Sequence, residues 1–352
     1  MISAALVAGA CSSKPHSVFS ELGAAEPAAP STTSATAPAT TVASPLTGGR
    51  VAAAIAARPA VIVKVDNSPD ARPQAGLNDA DVIYEERVEG SVVRFLAVFG
   101  SKDAAVVGPV RSVRSTDAGV VAPIGGVFAY SGGIVPFRDR VAATGIVMVP
   151  EDADASAGVY KRAGKVRPYA TYANTMKLRL HAKGGAPPAL FARSAEGTPF
   201  ATANPGATTI TGVRVVFGSL TTADWTWDGA KHLWLRSTNN TAHVLEDGSR
   251  LSTSCLILET VPYRPTQYTD RSNAGVDEAV ITGSGKALVA CDGQVVEARW
   301  QKPTLKSVIT YVNAATGAPI TIPAGRVWVS LVPTNGVITT KTPTVATALP
   351  AK

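Results

Sequence analysis

The chain has 352 residues, long enough for two domains of ordinary size, and its 45% hydrophobic and 17% charged residues describe globular material rather than a fibrous or solvated chain. A net charge of +7 and a pI of about 9.4 point to anionic partners such as phospholipid headgroups, wall polymers or lipid-linked phosphates. Nucleic acid is excluded as a partner because no dense Lys/Arg run or nucleic-acid motif occurs, and no run of 18 or more apolar residues offers a membrane-spanning helix.

Residues 1–11 read as a truncated lipoprotein signal. Met1 to Ala10 is small and apolar and ends at Cys11, and Ala8-Gly9-Ala10-Cys11 is similar to a lipobox. The expectation is a lipid on Cys11 that anchors the protein to the outer face of the cell membrane. The usual basic stretch ahead of the apolar run is missing, which predicts a true start further upstream. Residues 12–50 read as a disordered linker: Ala24 to Thr47 is almost entirely Ala, Pro, Ser and Thr, with Glu26, Val42 and Leu46 as exceptions. Such a composition buries too little apolar surface to offset its ordering entropy.

A first folded domain is expected over 51–194. Val61 to Val65 is a short apolar run and predicts a buried strand, broken by Asp66-Asn67-Ser68-Pro69-Asp70. Asp81 to Val88 and Val92 to Phe99 predict a hairpin around Glu89-Gly90-Ser91. Ser115 or Thr116 is placed to cap a helix over Asp117 to Ala122. Val127 to Tyr130 predicts a strand ending at Ser131-Gly132-Gly133. Helices are expected over Phe137 to Thr144 and Thr171 to Ala182.

A second domain, over 205–339, reads as mostly β. Strands are expected at Gly212 to Gly218, Ala230 to Arg236, Cys255 to Val261, Gly285 to Cys291, Gln294 to Trp300 and Gly325 to Val332. Asp292-Gly293 between apolar runs signals a tight hairpin. Residues 340–352 read as a flexible tail. The fold class is therefore α+β, a mixed α/β N-terminal domain followed by a mostly β C-terminal one. Of the three cysteines, lipidation of Cys11 leaves an even pair in an oxidising compartment. A Cys255–Cys291 disulfide is expected, the alternative being two separate buried thiols.

Several segments carry a family resemblance. Val65-Asp66-Asn67, Ala71 to Leu77, Ala80 to Glu85, Val88-Glu89-Gly90, Arg94-Phe95, Gly108 to Arg114 and Ser131-Gly132-Gly133 form one signature at fixed spacing. Gly283 to Ala287, Asp292 to Glu297 with Trp300, and Gly325 to Trp328 form a looser one. Together they resemble the YerB-like lipoprotein family, with DUF3048 N-terminal and C-terminal domains. The resemblance covers nearly everything after the linker and implies a bacterial envelope lipoprotein with no established reaction. The sequence departs from the family near His243, where Leu245 stands in place of an Asp.

A two-residue Glu89-Gly90 loop would pair Val88 with Ser91 and so set Glu85 opposite Arg94. That pair reads either as an ion pair fixing register or as a pocket wall. Arg111 and Arg114, with Ser112 between them, precede a predicted helix N-terminus, and guanidinium forks match phosphate or carboxylate geometry. Arg72, Arg94, Arg111 and Arg114, with Asn67 and Gln74 as neutral hydrogen-bonders, form the candidate anion site. The competing reading pairs these arginines with Asp66, Asp81 and Glu85 in a polar core. Catalysis has weaker candidates, Glu85 and Glu89 as acid/base carboxylates. A Gly-x-Ser-x-Gly elbow is absent. His243, Glu246 and Asp247 in one turn read as solvated rather than as a metal site, and no motif calls for a cofactor. Trp225, Trp227, Trp234, Trp300 and Trp328 read as core, with sugar stacking as the alternative. Three functions stay open: binding of an anionic cell-wall polymer or envelope protein through an arginine cleft, an enzyme acting on wall glycan or lipid-linked phosphate, and a scaffold without a small-molecule site.

Overall fold

The computed structural model of the chain describes residues 40–269 and 273–343. The centre is an eleven-stranded mixed sheet. Across it run the strands Thr208–Thr209, Gln294–Lys302, Gly283–Cys291, Cys255–Val261, Val327–Pro333, Val82–Arg87, Val93–Phe99, Val61–Asp66, Val127–Tyr130 and Val147–Pro150, with Thr310–Asn313 added beside Gln294–Lys302. Strands from both sequence halves thus belong to one sheet. The join is Val327–Pro333, which lies parallel to Cys255–Val261 on one side and to Val82–Arg87 on the other.

Both faces of this sheet are covered, so its central strands are continuous apolar runs rather than alternating ones. Every residue of Val61–Asp66, Val93–Phe99 and Val327–Pro333 is buried. On one face Ile62, Leu96, Val98, Ile257 and Val289 pack with Ala118 and Val121 of the helix Asp117–Val121 and with Phe137 and Val141 of the helix Val135–Ala142. On the other, Val63, Phe95, Leu256, Leu258 and Trp328 meet Val213, Val215, Trp225 and Trp234. These last come from a second, six-stranded sheet of Gly212–Val216, Thr222–Asp228, Leu233–Thr238, Thr241–Ala242, Ser252–Thr253 and Val337–Lys341. The mixed first half and strand-rich second half make the fold α+β, as expected.

Several expectations need correction. The expected linker ends before residue 50: Thr41–Ala43 pairs antiparallel with Arg50–Ala52, and Leu46, the one large apolar side chain of that stretch, is fully buried. The Arg193 guanidinium donates to the Leu46 carbonyl and fastens this turn to the body. Over 171–182, Thr171–Ala173 is a strand paired with Val159–Lys161, and only Thr175–Arg179 is helical. Asn174 starts the helix by accepting from the Lys177 N–H at 3.1 Å. Neither Ser115 nor Thr116 caps the helix Asp117–Val121; Thr116 Oγ1 accepts instead from the Ala279 N–H at 3.0 Å. The hairpin is one residue out of the expected register. Its loop has three residues, Glu89 to Ser91, with Gly90 and Ser91 at positive φ, and Val88 N–H donates to the Val92 carbonyl. Glu85 therefore faces Phe95, and Glu86 faces Arg94.

That register sends Glu85 to the face shared with the second sheet. There it meets Arg236, with Nη2–Oε1 at 2.5 Å and both side chains fully buried. Trp328 Nε1 and Ser330 Oγ donate to the other oxygen at 2.9 and 2.8 Å. The guanidinium carbon lies 4.8 Å from the Trp328 ring centre and 5.2 Å from that of Trp225. The network continues. Arg236 Nε donates to Thr238 Oγ1, Thr238 meets His243 Nδ1 at 2.8 Å, and His243 Nε2 meets Gln74 Oε1 at 2.8 Å. The Gln74 amide then donates to Asn67 Oδ1 and to the Asp66 carbonyl. Gln74 Oε1 can only accept here, which places a proton on His243 Nε2. Burial, then the Arg236 charge, push His243 down to about 2.

Glu85→Ala leaves the Arg236 charge buried without its partner and is expected to destabilise the protein by about 3–5 kcal/mol, whereas the Glu85→Leu/Arg236→Met pair costs much less; urea unfolding of both variants checks this. His243 is neutral when folded but protonates in the unfolded chain below pH 6.5. The unfolded state then binds more protons, so stability drops as pH falls below 6.5. Wild type should lose about 1.4 kcal/mol per pH unit more than His243→Gln there. Parallel losses from pH 6.5 to pH 4.5 would contradict a buried neutral histidine.

Candidate functional site

The signature arginines are positioned by two neighbouring segments. Arg94 is the second residue of the strand Val93–Phe99. Arg111, Ser112 and Arg114 lie on the extended stretch entering the helix Asp117–Val121. That stretch is laced between the strand Val61–Asp66 and the turn that follows Val127–Tyr130: Arg111 N–H donates to the Lys64 carbonyl, Ser131 N–H to the Arg111 carbonyl, and Val113 N–H to the Gly132 carbonyl. The close approach requires glycine at 133, where φ is +125° and an added Cβ would lie 2.3 Å from Val113 Cγ1. Ser112 Oγ donates to the Ser131 carbonyl at 2.9 Å. The result is a cleft of about 430 Å³ lined by Arg94, Arg111, Arg114, Ser112, the Gly132-Gly133 pair and Arg167, with Glu151 on its wall.

The three deeper arginines are held differently. Arg114 grips Glu89 through two bonds, Nε–Oε1 at 2.5 Å and Nη2–Oε2 at 2.7 Å, and Nη1 donates to the Val113 carbonyl. Burial opposes the Glu89 charge, but this fork holds its carboxyl below the ordinary range. Arg111 Nε sits 2.8 Å from Asp66 Oδ2 and the guanidinium lies over the Tyr169 ring. Among the described residues Arg94 forms no ion pair, although the charges of Asp66 and Glu89 act on it. Its Nη1 donates to the Ser112 carbonyl at 3.2 Å, while its buried Nε has no hydrogen-bond partner. Burial, then the neighbouring Arg114 charge, push it down to about 10, which leaves it a cation at neutral pH. Below the cleft, Lys64, Glu86 and Asp117 form a fully buried ion triad. Asp117 Oδ2 accepts from the Arg114 N–H at 2.7 Å, tying the triad to the arginine segment. Burial raises the Glu86 carboxyl.

Four of the expected ligand-binding residues, Arg94, Arg111, Ser112 and Arg114, share this cleft. The other four do not. Asn67 and Gln74 are buried and bonded to each other. Glu85 is sealed against Arg236 in the core. Arg72 lies apart, at a separate hollow of about 450 Å³ with Thr238, Asn239 and His243. Neither carboxylate proposed for acid/base work is free, since Glu85 is occupied by Arg236, Trp328 and Ser330, and Glu89 by Arg114. Four of the five tryptophans, Trp225, Trp234, Trp300 and Trp328, are core residues. Trp227 is partly buried and packs against Trp234. Among the described residues no group of three His, Cys, Asp or Glu side chains could hold a metal ion. Cys255 and Cys291 face each other on adjacent antiparallel strands and are joined by a disulfide. Cys11 lies outside the described residues.

Arg167, Glu151 and Arg236 were missed. Arg236 had a signal: on the strand Leu233–Thr238 it is in phase with Trp234 and Thr238, and all three point inward. Arg167 and Glu151 come from loops with no periodicity to read.

Two family models match the chain. "Protein of unknown function (DUF3048) N-terminal domain" covers residues 46–186, and the corresponding C-terminal domain covers 213–329. Over 70 residues, 20% of the chain, it is 49% identical to YerB of Bacillus subtilis (strain 168), whose name gives it provisionally as a lipoprotein; the match spans 21% of that protein's length. The crystal structure of the Bacillus subtilis YerB protein has the same fold, with a TM-score of 0.69 at 22% identity over 85% of this chain and 99% of that one. With both domains present in order over one shared sheet, this chain belongs to the DUF3048 family.

Proposed function

We propose that the protein is an extracytoplasmic lipoprotein, tethered to a membrane through Cys11, that binds an anionic envelope ligand in the arginine cleft. The observation that carries the binding reading is the state of Arg94. It is a buried guanidinium that faces an open cleft, shares Asp66 and Glu89 with Arg111 and Arg114 without an ion pair of its own among the described residues, and keeps an unpartnered Nε. A buried donor without an acceptor costs free energy that an incoming phosphate or carboxylate oxygen recovers. Arg111 and Arg114 are each already matched by one carboxylate, so they add direction more than net charge. The glycine pair lets a ligand come close to the backbone.

The tether rests on the lipobox-like run before Cys11 and on the lipoprotein name of the Bacillus relative. A disulfide in the core fits an oxidising compartment. No helix of the described residues is long and apolar enough to cross a membrane, so the reading assigns attachment to lipid. The enzyme alternative has no free carboxylate in the cleft's arginine end to act as acid or base.

Pyrophosphate titrated calorimetrically into the full chain should bind, and Arg94→Ala should weaken it by about tenfold or more, the scale of one charge-assisted hydrogen bond. The exposed Arg167→Ala, which leaves the core untouched, should weaken it several-fold. Unchanged affinity in both variants would refute the cleft. Cys11→Ser should remove the acyl mass and move the protein from the membrane to the soluble fraction; retention in the membrane would refute the tether.

A further inference from the structure

The arginine cleft is continuous with a second hollow of about 260 Å³, and the two share Gly132, Glu151 and Arg167. The second lobe has a different chemistry. Its remaining walls are Tyr130, Arg138, Asp152 and Lys161, with Pro150. Where the first lobe offers guanidinium donors over a glycine floor, this one sets carboxylate acceptors among cationic donors. Glu151 is anchored by Lys161 and by Thr171 Oγ1 at 3.1 Å, and these bonds hold its carboxyl below the ordinary range against the cost of burial. Asp152 is exposed and has no hydrogen bond or ion pair among the described residues. The Arg138 Nε is buried and unpartnered.

Here two carboxylates are set against Arg138, Lys161 and Arg167, so a second phosphate would find little net positive charge and would have to lie beside the exposed Asp152. Uncharged hydroxyls fit better: each is both donor and acceptor, so a ring of them satisfies Asp152 and Glu151 as acceptors and Arg138 and Lys161 as donors. Tyr130 adds an aromatic edge to the same wall. We infer that the two lobes together take a glycosyl phosphate, with the phosphate against Arg94, Arg111 and Arg114 and the sugar in the lobe of Asp152, Arg138 and Lys161. This inference rests on the anion-binding reading of the first lobe and adds the ligand class.

Binding of inorganic phosphate, glucose 1-phosphate and tripolyphosphate to the full chain tests it. Glucose 1-phosphate should bind about tenfold more tightly than inorganic phosphate, the scale of a few satisfied hydroxyls. Asp152→Asn, a surface substitution, should bring the ratio of those two affinities at least about threefold closer to one. Equal affinities, or tripolyphosphate binding more tightly than glucose 1-phosphate, would overturn the glycosyl assignment while leaving the arginine lobe as an anion site. Absence of binding by all three probes would overturn the anion-binding reading, and the glycosyl assignment with it.

Discussion

The structure depends on where one late strand inserts. Val327–Pro333 fills the gap between Cys255–Val261 and Val82–Arg87, parallel to both. Without it the large sheet would split into two smaller ones, each with an open edge made of a strand now buried almost throughout. The same strand carries Trp328 and Ser330 to Glu85, far away in the chain. The buried Glu85–Arg236 pair is thus completed by three segments, one from the first half and two from the second. Parallel pairings over such separations form only after a large loop-closure cost, so the polar core can be assembled only when both halves are in place.

The distribution of charge in the first half then has a simple logic. Each carboxylate of the hairpin is assigned to a base: Glu85 to Arg236, Glu86 to Lys64, Glu89 to Arg114. Asp66 is assigned to Arg111. Arg94 is the member of this set left with a single carbonyl. The polar-core reading of the sequence thus describes most of these charges, while Arg94, Arg111 and Arg114 also line an open hollow. Most of the signature charges pair with one another inside the fold, and Arg94 shares the field of Asp66 and Glu89 without an ion pair of its own among the described residues.

Local features of this arrangement were legible from the residues. The strand Val127–Tyr130 and the strand Cys255–Val261 follow their apolar runs residue for residue, and the Cys255–Cys291 pair follows from parity and strand context. The three arginines on adjoining segments were legible as a cluster. What failed did so for identifiable reasons. A loop of three residues instead of two moved Glu85 to the opposite face, because side chains alternate with period two. Arg72 was grouped with the others by proximity in sequence, but the turn after Asp66 carries it to the hollow beside His243. Leu46 lay in an Ala/Pro/Ser/Thr background that masked an ordered turn. The sharing of one sheet by both halves has no local signature, since parallel pairing leaves no turn to recognise.

That sharing also shapes the cleft. Its arginine floor belongs to the first half, but Thr269 and Val276 on its rim belong to the hairpin strands Tyr263–Thr269 and Gly275–Ala279 of the second. The hairpin is strapped across the first half: Arg87 bonds Asp277 at 2.8 Å, Arg140 grips Glu278 through both nitrogens, and Tyr263 Oη bridges from the Arg87 N–H to the Leu331 carbonyl. Tyr263 therefore couples the hairpin to the inserted strand itself. A cleft built this way exists only in the fully assembled chain. The first half alone would lack the Thr269 and Val276 rim and would leave the hollow beside Arg94 open to water on that side.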